Sequence, residues 1–133
     1  MFVDAAAIVA ILSEEEEAGR CTAALDGRKS EPVTSPIAVW EAAMALSRKL
    51  DTPLELSGRL VTRFLDDRGV AVINLPEPQL AIEYSLHAAE RYRKGSNKLN
   101  LADCFHYACA KALGVLILST AEEFRSTDIA TIP

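Results

Sequence analysis

The sequence has little of what usually marks a metal-scaffold, secreted or nucleotide-binding protein. It holds two histidines and three cysteines in 133 residues, and Cys21, Cys104 and Cys109 show no C-x-x-C spacing. They fit a reducing cytosol better than a zinc framework or disulfide scaffold. No apolar run approaches the ~20 residues that span a bilayer, so no membrane role is expected. The chain opens on MFVD without the basic head and small-residue cleavage site of a secretory signal, and a cytoplasmic protein is expected. No P-loop, G-x-S-x-G elbow or G-x-G-x-x-G turn occurs. Internal repeats, linkers and low-complexity segments are also lacking. Positive charge is short too: 14 Lys and Arg against 19 Asp and Glu give a net charge of −5. This argues against broad electrostatic capture of nucleic acid. It does not exclude a nuclease, because an acidic site is neutralised by its own metal ions.

What is there suffices for one ordinary core. The length allows a single domain over residues 1–133 that buries roughly two thirds of its unfolded surface. Half of the residues are hydrophobic and a quarter are charged, as in typical globular proteins. Cys104 and Cys109 read as small core hydrophobes.

The most informative stretch is LNLADCFHYACAKALGVLILSTAEEF, residues 99–124. Asn100 is a good N-cap with Asp103 three residues on, and Leu101, Cys104, Phe105, Ala108, Ala112 and Leu113 form an apolar helical face. Gly114 ends the helix because only Gly enters the left-handed region without steric cost. Val115 to Leu118 reads as a buried strand. Ser119, Thr120, Glu122 and Glu123 follow it.

Earlier in the chain, Met1 to Val3 reads as a strand ending at Asp4, which can cap a helix over AAAIVAIL. That helix is expected to resume at Glu14 to Glu17 and continue through Leu25, before the Asp26-Gly27 turn. A Val33-Thr34 strand precedes a helix capped by Ser35 with Pro36 at its first position. Asp51-Thr52-Pro53 marks the next turn and helix start. Val70 to Leu75 is the clearest strand, Gln79 to Tyr92 another helix, Gly95-Ser96-Asn97 a loop, and Asp128 to Ile132 a last strand. Strands alternating with helices predict a three-layer α/β/α fold around a mostly parallel sheet. Ligands bind such sheets beyond the carboxyl ends of the strands, where Asp4, Glu41 and Thr120 to Glu123 would converge with Asp103.

Each acid also has a plainer role. Asp4 can be an N-cap, Asp103 a first-turn acid favoured by the helix dipole, and Glu122 or Glu123 part of a capping box. Glu41 is harder to place, since it lies in the second turn of an apolar helix with no basic residue at i±3 or i±4. A buried, unpaired carboxylate there costs several kcal/mol unless a cation or proton relieves it. Acids from separated parts of the chain suit Mg²⁺ or Mn²⁺, which prefer oxygen ligands. Such an ion activates water and stabilises charge on a phosphoryl group. His87 and His106 read as structural or peripheral. Arg91, Arg93, Lys94 and Lys98 are either a solvated helix end or a phosphate-contacting edge.

Together, MFVDAAAIVAIL, SPIAVWEAAMAL, KGSNKLNLADCFHYACAKALG and LILSTAEEFRSTDI resemble the PIN-domain ribonucleases of the VapC toxin type, over the whole chain and in order. The resemblance implies a Mg²⁺- or Mn²⁺-dependent endoribonuclease that leaves a 5′-phosphate and a 3′-hydroxyl. It further implies pairing with a VapB-type antitoxin that blocks the site, and a homodimer that becomes a heterotetramer or larger with it. Asp4, Glu41 and Asp103 carry over as the core acids, Glu41 directly or through water. Thr120 with the basic segment would contact RNA.

Three departures stand out. The family's Ser two residues after the first Asp, which helps orient that carboxylate, is Ala6 here. Its Gly before the third acid is Ala102. Its fourth acid, an Asp serving a second metal position, is replaced by Glu122 when counted from Thr120, or by Glu123 when counted back from Phe124; Glu122 is favoured. The first and last departures leave a rival: a catalytically weakened PIN-like module that binds RNA or protein. A receiver domain is disfavoured, because Asp4 is alone after the first strand and Ser119-Thr120 stand where its Lys would be.

Overall fold

A computed structural model describes residues 1–95 and 98–133. Ser96 and Asn97, in the expected Gly95-Ser96-Asn97 loop, lie outside the described residues. The chain begins with β1 (Phe2–Val3), α1 (Ala5–Leu12), α2 (Ala18–Asp26) and β2 (Val33–Thr34). It continues through α3 (Pro36–Leu50), α4 (Leu54–Arg68), β3 (Ala71–Val72) and α5 (Pro78–Tyr92). Last come α6 (Leu101–Leu113), β4 (Ile117–Leu118), a 3-10 turn at Glu122–Ser126, and β5 (Thr131–Ile132).

Local chemistry sets the helix ends. Ser35 Oγ accepts from the Ala38 N–H at 3.2 Å, and Pro36 fills a first position that needs no N–H. Asn100 and Asp103 cap each other: Asn100 Oδ1 accepts from the Asp103 N–H at 3.0 Å, and Asp103 Oδ2 from the Asn100 N–H at 2.6 Å. Gly114 closes α6 at φ 64°, in the left-handed region.

The five strands run parallel in the order β3-β2-β1-β4-β5. Successive side chains face opposite sides, so Phe2 and Ile117 join one core and Val3 and Leu118 the other. Val3 and Leu118 pack with α1 to α4, and Phe2 and Ile117 with α5, α6, Leu99 and Phe124. The three-layer α/β/α architecture follows from these two covers. Among the described residues no helix is long and apolar enough to cross a membrane.

Several boundaries differ from expectation, and β4 is only Ile117–Leu118 where Val115 to Leu118 was expected. The first helical region breaks at Ser13 to Glu17, where Glu14 takes φ 53°, so the acidic run is a turn between two helices. Val70 to Leu75 contributes only the two-residue β3, an edge strand whose side chains are exposed. The last strand is Thr131–Ile132 and not the longer Asp128 to Ile132.

The chain builds outward from β1 through β2 to β3, then returns to β4 on the other side of β1. The crevice beyond β1 and β4 is therefore the switch point of the sheet, and Asp4 and Ser119 stand directly after those strands.

Candidate metal centre

Asp4 caps α1 at the end of β1 and is 2% exposed. Its Oδ2 accepts from the Ser119 hydroxyl at 2.6 Å and from the Ala6 N–H at 3.2 Å. Ala6 thus gives the carboxylate a backbone donor although its side chain cannot, and Ser119 supplies the hydroxyl from the neighbouring strand. The other oxygen, Oδ1, stands 2.7 Å from His106 Nδ1. This is a close acid–imidazole contact, and apart from it Asp4 Oδ1 and both His106 nitrogens have no hydrogen-bond partner among the described residues.

His106 is the residue that sequence reasoning set aside. It is fully buried on α6 with its ring tilted against Phe2, and its Nε2 lies 3.7 Å from Glu41 Oε2. The signal was the spacing Asp103-x-x-His106, which puts an acid and an imidazole on one helical face.

Electrostatics divides these groups. Burial pushes Asp4 up, but contact with His106 and the Ser119 and Ala6 hydrogen bonds hold it below the usual carboxylate range. For His106, burial favours the neutral ring, while Asp4, Glu41 and Asp103 outweigh it and raise the imidazole. Burial raises Glu41, partly offset by His106; its side chain is 28% exposed on α3. Asp103, 8% exposed, is pushed up to about 6 by burial, with Asp4 and Glu41 adding to the shift and the Asn100 N–H opposing it.

Asp4, Glu41 and Asp103 meet at a cleft of about 260 Å³ lined also by Asn100, Thr120 and Glu123, with Glu15 on its wall; buried His106 touches Asp4 without lining the cleft. No Lys or Arg is among its described lining residues. Glu15 is tied to Lys49 and to the Ser13 hydroxyl. The adjacent acids of the 3-10 turn part ways: Glu123 lines the cleft, whereas Glu122 is 69% exposed and accepts from Arg125 Nε at 3.1 Å. The expectation that favoured Glu122 for the cleft therefore differs from the arrangement found. Arg91, Arg93, Lys94 and Lys98 are exposed around the α5–α6 connection and do not line the cleft. Lys94 pairs with Glu90 at 2.8 Å, and Arg93 and Lys98 border a separate groove beside Leu86.

The donor set fits a divalent cation. Ligand atoms of Asp4, Asp103 and His106 lie within 4.8 Å of one another, all on buried residues. Asp4 Oδ1 is a buried acceptor whose close partner is His106 Nδ1, and a carboxylate oxygen has lone pairs for more than one partner. Converging carboxylates are tolerated when a cation balances them.

The PIN domain family matches residues 1–130. Ribonuclease VapC42 of Mycobacterium tuberculosis is 36% identical over 132 residues, covering 97% of this chain and 96% of that protein. Ribonuclease VapC of Mycolicibacterium smegmatis is 32% identical over 136 residues, covering 99% of each. Among solved structures, Mycobacterium tuberculosis VapC20, a Sarcin-Ricin loop cleaving toxin, superposes with a TM-score of 0.73. It is 14% identical, and the match covers 99% of this chain and 98% of that one. A toxin-antitoxin complex from Klebsiella pneumoniae gives a TM-score of 0.70 at 16% identity, covering 99% and 95%. These two likenesses concern the fold alone.

Proposed function

The chain belongs to the PIN-domain family and, within it, to the VapC ribonucleases; from that premise we propose that it is the toxin of a toxin–antitoxin pair, an endoribonuclease using Mg²⁺ or Mn²⁺. The observation that carries this reading is the meeting of Asp4, Glu41 and Asp103, from three separate elements, on one cleft at the switch point of the sheet. Residues 1–133 act as one PIN domain, since the sheet uses strands from Phe2 to Ile132.

Asp4 and Asp103 hold the ion, with Glu41 directly or through water, and Glu123 is the fourth acid. A divalent ion bound there lowers the pKa of water and stabilises charge on the phosphoryl group. Ser119 and the Ala6 N–H fix the Asp4 carboxylate before any ligand arrives, so little reorientation remains when RNA binds. Thr120 contacts RNA from the cleft wall. Arg91, Arg93, Lys94 and Lys98 supply phosphate contacts beside the start of α6, which offset the repulsion between the acidic cleft and RNA.

The partner is a VapB-type antitoxin, supported by the VapC relatives. The toxin itself is a homodimer, and a heterotetramer or larger with its antitoxin. It acts in the cytoplasm, which agrees with three buried free cysteines.

The test is cleavage of a fluorogenic RNA by the purified chain without antitoxin, in Mg²⁺, Mn²⁺ or EDTA. Cleavage in either ion, leaving a 5′-phosphate and 3′-hydroxyl and lost in EDTA and in Asp103→Asn, supports the reading. RNA binding without cleavage in either ion overturns it in favour of a binding module.

A further inference from the structure

We propose that a ring nitrogen of His106 is a direct ligand of the divalent ion held by Asp4 and Asp103, which makes this site select Mn²⁺ over Mg²⁺. The inference rests on the reading above that the cleft holds such an ion.

Three observations carry it. His106 stands three residues after Asp103 on α6, and residues at that spacing project from one face of a helix toward a common point. Helical carboxylate-x-x-His pairs serve metals in bundle proteins for the same geometric reason. The ligand atoms of Asp4, Asp103 and His106 lie within 4.8 Å of one another. The imidazole is fully buried, and apart from the 2.7 Å contact between its Nδ1 and Asp4 Oδ1, neither ring nitrogen nor that oxygen has a hydrogen-bond partner among the described residues. A cation accepting Asp4 Oδ1 and one imidazole nitrogen would relieve two of these buried atoms together.

The consequence concerns the choice of ion. Mg²⁺ takes oxygen ligands almost alone and gives up its waters reluctantly. Imidazole nitrogen favours first-row transition ions, so replacing one carboxylate or water by it tilts a shared site toward Mn²⁺. The competing account is a positioning role, in which His106 holds Asp4 and Glu41 by charge and touches no metal. That role would weaken both ions together.

The deciding measurement is pulsed electron paramagnetic resonance on the intact chain loaded with Mn²⁺, which reads directly bound nitrogen-14. Modulation from a coordinated imidazole is expected in the unaltered protein. It should persist in His87→Gln, the chain's other histidine, which stacks on Tyr107, and vanish in His106→Gln. Calorimetric titration should find Mn²⁺ weakened about tenfold or more by His106→Gln, with Mg²⁺ kept within about threefold. The unaltered protein is read first, so the inference remains testable if the variant fails to fold. Bound Mn²⁺ without nitrogen modulation overturns the role of His106 and leaves the metal site standing. An equal loss of both ions in a folded His106→Gln also overturns it, in favour of positioning. Failure of the unaltered protein to bind either ion overturns this inference and the metal-dependent reading together.

Discussion

Ser119 donates its hydroxyl to Asp4 Oδ2 at 2.6 Å across 115 positions of sequence, from the end of β4 to the end of β1. The same oxygen of Ser119 accepts the Ala121 N–H at 3.0 Å, so this one side chain fixes both the carboxylate and the turn beside it. Ser119→Ala removes a buried hydrogen bond to a charged group, and should cost about 1.5–3 kcal/mol in urea unfolding. It should also weaken Mg²⁺ binding in calorimetry, because Asp4 Oδ2 keeps only the Ala6 N–H as a donor. A loss of stability below about 0.5 kcal/mol would mean that the Ala6 N–H alone suffices.

Asp103 gives the metal-free protein a defined pH dependence. Its folded pKa, about 6, lies above the ordinary 3.8, so between those values the native state holds a proton that the unfolded chain has lost. Stability from this group is therefore complete below the unfolded value and falls as pH rises toward 6, by at most about 3 kcal/mol. Asp103→Asn keeps the shape and an acceptor for the Asn100 N–H, and should flatten that part of the curve. Urea unfolding in EDTA at pH 4.5 and 7 checks this through the difference between the two proteins, since Asp4 and His106 also titrate. Parallel curves would refute the shift. Mg²⁺ binding should likewise weaken several-fold from pH 7.5 to 5.5, as the ion must displace the Asp103 proton.

Both predictions concern positions whose local role and site role coincide. Asp4 is at once an N-cap and a cleft acid, and Asp103 is at once the partner of Asn100 and a cleft acid. The cap signals at Ser35-Pro36 and Asn100–Asp103, and the Gly114 stop, are local chemistry and were legible in the sequence. The alternation of strands and helices was legible for the same reason. The break at Ser13 to Glu17 was not, because a glutamate run is compatible with helix until packing turns the chain at Glu14. VAVINL read as a strand of six residues but pairs only at Ala71–Val72, since hydrophobic pattern does not show how far a neighbouring strand extends to pair with it. His106 was missed because its partners Asp4 and Glu41 are remote in sequence. Only its spacing from Asp103 was local.

Glu41 tests whether charge in the cleft is a burden without metal. Burial raises its pKa even though His106 lies 3.7 Å away, so the ionised form is disfavoured there. Glu41→Gln should leave stability in EDTA unchanged or raised by up to about 1 kcal/mol. RNA cleavage should fall by at least about tenfold. Thermal melts in EDTA check the first part and the fluorogenic assay the second. Clear destabilisation would instead identify the contact with His106 as a structural ion pair.

The last prediction separates the adjacent acids Glu122 and Glu123. In the tight turn that starts at Glu122 neighbouring side chains diverge, and Glu123 faces the cleft while Glu122 bonds Arg125 in solvent. An exposed pair of this kind contributes little, so Glu122→Gln should cost less than about 1 kcal/mol and leave cleavage near the unaltered rate. A carboxylate on the cleft wall that acts on the transition state should affect turnover more than RNA affinity when removed. Glu123→Gln is therefore expected to lower kcat by at least about tenfold, with KM little changed. Glu123→Asp tests reach: one methylene shorter, it should retain activity if the turn brings it close enough, and behave like Gln if the longer stem is required. The same fluorogenic RNA with Mg²⁺ and then Mn²⁺ serves for all three variants. Loss of activity in Glu122→Gln alone would reverse the assignment, and full activity in both Gln variants would leave a site of three working acids.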